Sequence, residues 1–306
     1  MMQTYVPILF GLGALVLFAA ETAAADQPTA TAPAEPAKEL RMAAVQMRSG
    51  KDLDENIKKT IDFIARCAKD GVRVVVFPEC SVTGYVGDSV KSTTAEQLVD
   101  AERRISEACK QHNVYAIVGM PWRENGKLFN SAIIISPAGK TIERYHKVRL
   151  AESWPDPGDH LSVYKIDGVT CTTIVCHDER YPELVRLPVL AGAKLIFYLS
   201  HESGLREEKK LGPYRAQIQA RAVENTVYVI QANAPANEDA TGSHGQSRII
   251  APDGNIVEEA SIFQEEVLVQ TLDPRKATRS NALNSLKRGP LGDWWREGVK
   301  HVRIIE

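Results

Sequence analysis

From residue 40 onward, apolar positions recur at two periods, and each change of period marks an expected element boundary. Met42–Met47 (MAAVQM) reads as a strand, Asp54–Cys67 as an amphipathic helix, and Val72–Phe77 (VRVVVF) as a strand buried on both faces. A second helix is expected over Thr94–Gln111, capped by Thr93 or Thr94, and a further strand over Val114–Met120. The middle changes character. Leu128–Ser136 and Thr141–Val148 look like antiparallel strands joined by a Pro-Ala-Gly-Lys turn. Strand Lys194–Leu199, helix Gly212–Glu224 and strand Thr226–Ala232 follow. A hairpin Gln246–Ala251/Ile256–Glu259 across Pro252-Asp253-Gly254 and a last strand Gln264–Leu272 close the series. Helices flanking both parallel and antiparallel strands predict an α/β sandwich in place of a simple doubly wound sheet.

One stretch organises the rest. Thr170–Val175 is β-branched apart from Cys171 and reads as a buried strand; from about Pro182 the spacing is helical and ends at Gly192. Asp178 is placed to cap that helix, with Glu179 and Glu183 in its first turn. Cys176 therefore falls at a strand-to-helix corner, where helix-start N–H groups favour a thiolate and can bind an oxyanion. Two readings stand for it: a buried packing residue, the common fate of cysteine, or a nucleophile.

The ends have their own pattern. Val6–Ala20 is an uninterrupted apolar run, short for a membrane span of about 20 residues, and a small-x-small pattern at Ala23–Ala25 follows. Residues 1–25 read as an export signal, which places the mature protein in the periplasm or outside the cell. The lack of Lys or Arg before the run leaves an uncleaved membrane anchor as the other reading. Residues 26–39, rich in Ala, Pro and Thr, read as a flexible linker. Residues 40–272 form the expected domain. Residues 273–306, with Trp294-Trp295, are too apolar for a free tail and are expected to pack on the domain or on a partner subunit.

Composition narrows the function by exclusion. In 306 residues, 37 basic against 39 acidic side chains give no polyanion-binding surface, so nucleic acid is not an expected partner. Five cysteines, an odd number, leave at least one thiol unpaired within the chain, and no Cys/His spacing suggests zinc. No Gly-rich phosphate loop or HExxH helix occurs.

Two further stations carry chemistry. Glu79, in VVVFPECSVTGY, stands just past the carboxyl end of a buried strand, and Lys147, in ERYHKVRL, ends another. Either side chain alone is ordinarily solvated. Together with CHDERYPEL around Cys176, the motifs FPE, TGY and YHK resemble the nitrilase superfamily of carbon–nitrogen hydrolases. MAAVQM, RAVEN (221–225) and GQSRIIAPDG (245–254) support the likeness, which covers nearly all of 40–272. The resemblance implies a four-layer α-β-β-α sandwich and a Glu–Lys–Cys triad: Glu79 as general base, Lys147 as oxyanion stabiliser, Cys176 as nucleophile. It also implies a second glutamate after the lysine, for which Glu152 is the best match and Asp156 a rival. The backbone N–H of His177 is the expected second oxyanion donor.

Such a member cleaves a small linear amide or an N-carbamoyl compound through a thioester, with no cofactor and no metal, and associates as a homodimer or larger homo-oligomer. Cys-Trp-Glu is common in nitrile-hydrolysing members, so Cys176-His177-Asp178 leans toward amides or carbamoyl compounds. The His177 ring is read as a substrate contact in preference to half of a Cys–His dyad. Arg180 suits a substrate carboxylate, with a structural ion pair to Glu183 or Asp178 as the equal alternative. Tyr85, Trp154, Ser200, His201 and Glu202 follow strand ends and are candidate pocket residues. Competing functions are an acyltransferase of the same superfamily and a catalytically silent binding module.

Overall fold

The computed structural model describes residues 39–85, 87–202, 211–287 and 291–306. The expected export signal and the linker, apart from Glu39, lie outside the described residues. In chain order the first half runs β1 (Leu40–Gln46), α1 (Leu53–Lys69), β2 (Val74–Val76), α2 (Gly87–Ser92), α3 (Ala95–His112), β3 (Tyr115–Glu124), β4 (Lys127–Ile135) and β5 (Thr141–His146). The second half runs β6 (Leu161–Ile166), β7 (Val169–Val175), a 3-10 turn (Cys176–Arg180), α4 (Pro182–Leu190), β8 (Leu195–Ser200), α5 (Leu211–Val223), β9 (Tyr228–Asn233), β10 (Arg248–Ile250), β11 (Ile256–Glu259) and β12 (Glu266–Leu272). It ends with α6 (Ser280–Asn284), α7 (Leu291–Val299) and β13 (Val302–Ile304).

Two sheets face each other. One has six strands in the order β12-β1-β2-β3-β4-β5, the other seven in the order β11-β10-β9-β8-β7-β6-β13. Side-chain alternation explains why the inner strands read as continuous apolar runs. Met42, Ala44, Val74, Val76 and Ile117 enter the core shared with the second sheet, whereas Ala43, Val45, Val75, Ala116 and Val118 enter a separate core with Ile57 and Ile64 of α1 and Leu98 and Ile105 of α3. On the far side, Val185 and Val189 of α4 and Ile218 and Ala222 of α5 pack on the second sheet. The four-layer α-β-β-α sandwich follows.

Local chemistry fixes the boundaries. Thr94 caps α3 in a reciprocal box with Gln97, and Asn113 ends it in the left-handed region. Asn125 and Gly126, with φ of 52° and 75°, form the two-residue turn that pairs Glu124 with Lys127. That turn extends β3 four residues past the expected end at Met120. The C-terminal segment joins the sandwich: β13 pairs in parallel with β6, and Trp295 packs against the main core while Trp294 is 55% exposed.

One glycine sets the approach of β3 to the first station. A Cβ at Gly119 would lie 2.1 Å from the Pro78 carbonyl oxygen and 2.7 Å from the Glu79 Cα. Gly119→Ala is therefore expected to destabilise the protein by about 1–3 kcal/mol and to displace Glu79. Thermal melting and an activity assay on the same preparation check both effects; an unchanged melting temperature contradicts the packing argument.

Candidate active site

Each station leaves the end of a strand. After β2 the chain turns through Pro78–Ser81, pinned by Phe77 N to Ile117 O (2.9 Å) and Ser81 Oγ to Gly119 O (3.2 Å), which aims Glu79 inward at 2% exposure. After β5, Lys147 is clamped by its own N–H to Asn130 O (2.8 Å) and by Gly158 N–H to its carbonyl (2.9 Å). A Cβ at Gly158 would lie 2.2 Å from His146 O, so the clamp closes only around glycine. Lys147 is fully buried, and its Nζ donates to Glu79 Oε1 at 2.8 Å and to Glu152 Oε1 at 2.6 Å.

The third station is under backbone strain. Cys176 has φ 44°, a left-handed conformation that β-carbon-bearing residues rarely adopt. Asp178 holds the turn: fully buried, it accepts from Val175 N–H (3.1 Å), Arg149 N–H (2.7 Å) and Tyr145 Oη–H (2.8 Å). Tyr198 Oη, whose proton goes to Glu202 Oε1 at 2.7 Å, lies 3.3 Å from the Cys176 carbonyl oxygen. This corrects the expectation that Asp178 caps the following helix. A 3-10 turn intervenes, α4 starts at Pro182, and its N-cap is Tyr181, which makes no side-chain cap bond. The first N–H groups of the turn, that of His177 among them, have no partner within a 3-10 ladder.

Electrostatics couple the three. Burial pushes the Cys176 thiol well above its ordinary value, Glu79 adds to the rise, and Lys147 opposes it. Burial raises Glu79 to about 7 against the pull of Lys147. For Lys147, burial acts downward, but Glu79, Cys176 and Glu152 together hold the ammonium well above its ordinary value. Burial also acts to raise Glu152, yet the charge and hydrogen bond of Lys147 leave it lowered. The resting set is a protonated thiol beside a fixed ammonium and two carboxyls of different proton affinity, suited to taking a proton from sulfur as sulfur attacks.

Cys176 lines a cavity of about 450 Å³ with Tyr85, His177, Glu179, Arg180, Tyr198, His201, Glu202 and Tyr214 among its walls. Tyr85 donates to Glu152 and stacks on the His201 ring at 4.4 Å. The His201 N–H donates to Glu79 Oε2 at 2.9 Å, and burial pulls its imidazole down to about 4, so the ring is neutral. The His177 ring meets Tyr181 edge-on at 5.6 Å. Arg180 is held by Tyr214, with Nη2 to Oη at 2.7 Å, and neither Asp178 nor Glu183 is its partner among the described residues.

Two pocket expectations are corrected. Ser200 is fully buried behind the wall, bonded to Asn233 Oδ1 (3.1 Å) and Gln231 Nε2 (3.2 Å). Trp154, half-buried on the loop after Lys147, is not among the side chains lining the cavity. Asp156 is occupied elsewhere, its carboxylate and N–H bridging to Leu128 of β4, so Glu152 alone of the two acids meets Lys147.

Sequence reasoning missed Asn130, whose Nδ2 donates to Glu79 Oε1 at 2.7 Å and reaches Glu152 Oε1 at 3.5 Å. A polar residue inside the apolar strand LFNSAIII was the available signal. His244, paired with Glu202 at 2.7 Å beneath the cavity, had none. All five cysteines are free; Cys67, Cys80, Cys109 and Cys171 are buried, and burial pushes Cys67 and Cys109 to about 12. Among the described residues no cluster of His, Cys, Asp and Glu could hold a metal.

A four-layer sandwich with these motifs defines the nitrilase superfamily. The chain belongs to the carbon–nitrogen hydrolase family, whose profile matches residues 41–281. It is 31% identical over 208 residues to a protein of Staphylococcus lugdunensis named hydrolase in agr operon, covering 65% of this chain and 87% of the relative. It is 29% identical over 252 residues to the (R)-stereoselective amidase of a Pseudomonas species, covering 78% and 88%. A solved amidase of Nesterenkonia from the nitrilase superfamily shares the fold at TM-score 0.74 and 24% identity, covering 85% of this chain and 98% of that one.

Proposed function

We propose that the protein hydrolyses the C–N bond of a small linear amide or N-carbamoyl compound through a Cys176 thioester. The observation that carries this reading is the buried Lys147 ammonium bridging Glu79 and Glu152 at 2.8 and 2.6 Å, with its charge acting on the thiol of Cys176. The Pseudomonas relative named as an amidase supports the substrate class. The apolar leader supports export of the mature protein as part of the same proposal.

In this mechanism Glu79 takes the thiol proton as sulfur adds to the carbonyl carbon. The oxyanion is held by Lys147 and the His177 N–H; losing one such donor typically costs about 10²–10³ in rate. Glu79 passes its proton to the leaving nitrogen as the C–N bond breaks. Water then attacks the thioester, its proton goes to Glu79, and the departing thiolate is reprotonated. Glu152, kept ionised by Lys147, holds the ammonium in place between turnovers.

The test is a pH profile of ammonia release. The base form of Glu79 is the carboxylate, and its folded value is raised to about 7. With a neutral amide, kcat/KM is therefore expected to rise with pH through about 7 and then level. Glu79→Gln should lose that limb together with most of the activity. A wild-type profile flat from pH 5 to 8 would remove Glu79 from the role of base.

A further inference from the structure

We infer that the cavity contains a second polar subsite, built on Glu179, that receives the ammonium end of an amine-bearing amide or N-carbamoyl substrate. The inference rests on the hydrolase reading above and names its substrate class.

Glu179 is one residue from Arg180 in the turn that carries Cys176, lines the same cavity, and is 1% exposed. Its Oε2 has no hydrogen-bond partner among the described residues. The two cations nearest to it among the described residues, Arg221 and Arg180, make their hydrogen bonds to other groups. Arg221 donates through Nε to the Glu179 carbonyl (2.7 Å) and through Nη1 to Glu224 (2.8 Å). Arg180 is drawn to Tyr214. Glu202, the neighbouring carboxylate, accepts Tyr198 Oη–H (2.7 Å) and Gln231 Nε2 (3.2 Å) on Oε1, and its Oε2 lies 2.7 Å from His244 Nε2 as an ion-pair contact.

A buried carboxyl without a partner is costly unless something supplies one. Burial first, and the charge of Glu202 second, push Glu179 up to about 8 against the opposing charges of Arg221 and Arg180. A cation arriving in the cavity reverses that, because it restores the ionised carboxylate and also benefits from Glu202. A substrate ending in carboxylate meets the field of Glu202 instead, and one ending in a methyl group leaves Glu179 unsatisfied. The rest of the catalytic charge does not compete for the cation, since Glu79 and Glu152 are already paired with Lys147.

The experiment uses two amides of equal length, 5-aminopentanamide and hexanamide. Each is titrated calorimetrically into Cys176→Ala and into Cys176→Ala/Glu179→Gln, and each is assayed for turnover by wild type, Glu179→Gln and Glu179→Asp. Binding of 5-aminopentanamide is expected to be about tenfold or more tighter than that of hexanamide. Glu179→Gln should erase the difference without weakening hexanamide, and Glu179→Asp should restore part of it. Equal affinity of the two amides, or a loss shared equally by both on Glu179→Gln, overturns the subsite. Hydrolysis of both amides with no preference leaves the hydrolase reading standing and removes the subsite. An ammonium preference in binding without turnover of either amide keeps the subsite and removes the hydrolase reading.

Discussion

Cys176→Ala is expected to lower amide hydrolysis by about 10⁴–10⁶-fold, the range seen when a covalent nucleophile is removed from a cooperating set. No other thiol can take its place. Cys80 adjoins Glu79 in sequence but is fully buried, and burial, with Glu79 and Glu152, pushes it well above its ordinary value. Cys67 and Cys109 lie in the core beneath α1 and α3, and Cys171 lies in the core of the second sheet. Folding should be little affected, within about 1 kcal/mol, because the left-handed turn is held by Asp178 and not by the sulfur. Ammonia release measures the first effect and thermal melting the second. Mass spectrometry of wild type quenched during turnover should place an acyl group on the peptide containing Cys176. Hydrolysis persisting in the alanine variant, or an acyl group on another residue, would end the thioester scheme.

The parts legible in the sequence are those whose physics is local. β1, β2, β7, β8 and β9 announce themselves because both of their faces meet apolar layers, so alternation is masked and the run is continuous. The three stations were legible as strand ends bearing a reactive group. What was lost is what depends on pairing at a distance. Strand β6 (LSVYKI), absent from the elements expected from the sequence, lies between β7 and β13 in the sheet. Position after a strand does not reveal which way a side chain turns: His201 faces the cavity, while its neighbour Ser200 bonds back to Asn233 and Gln231. Asp178 has the right spacing for a helix cap, yet the turn it stabilises is a separate one, the 3-10 turn that begins at Cys176. Asn130 lies 51 residues from Glu79 in the chain and meets it only because β4 runs beside β3 across the sheet from β2.

Lys147→Met should be the most damaging single change at this site for stability as well as rate. The ammonium stands between Glu79 and Glu152 with side-chain exposures of 0%, 0% and 5%. Removing it leaves two carboxylates that share Asn130 as a donor, with Tyr85 donating to Glu152 alone, and have no counter-charge, a change that typically costs about 3–5 kcal/mol. The pH dependence gives the sharper signature. In the wild type, Glu152 is lowered, so it contributes stability above its ordinary value that is lost as pH falls. Glu79 is raised to about 7, so its contribution is full at low pH and is lost as pH rises through about 7. The two partly offset each other. Without Lys147 only hydrogen bonds, such as those from Tyr85 and the Ala151 N–H, oppose the burial of Glu152, so both carboxyls are expected to bind protons more tightly folded than unfolded, and stability should fall from pH 5 to pH 8. Melting temperatures at those two pH values should therefore diverge in the variant far more than in the wild type, with the larger deficit at pH 8. Hydrolysis should fall by about 10²–10³ or more at either pH, since the oxyanion loses its charged partner. A variant that melts like the wild type at pH 8 would mean that the two carboxylates do not depend on the ammonium, and the charge arrangement assigned to this site would be wrong.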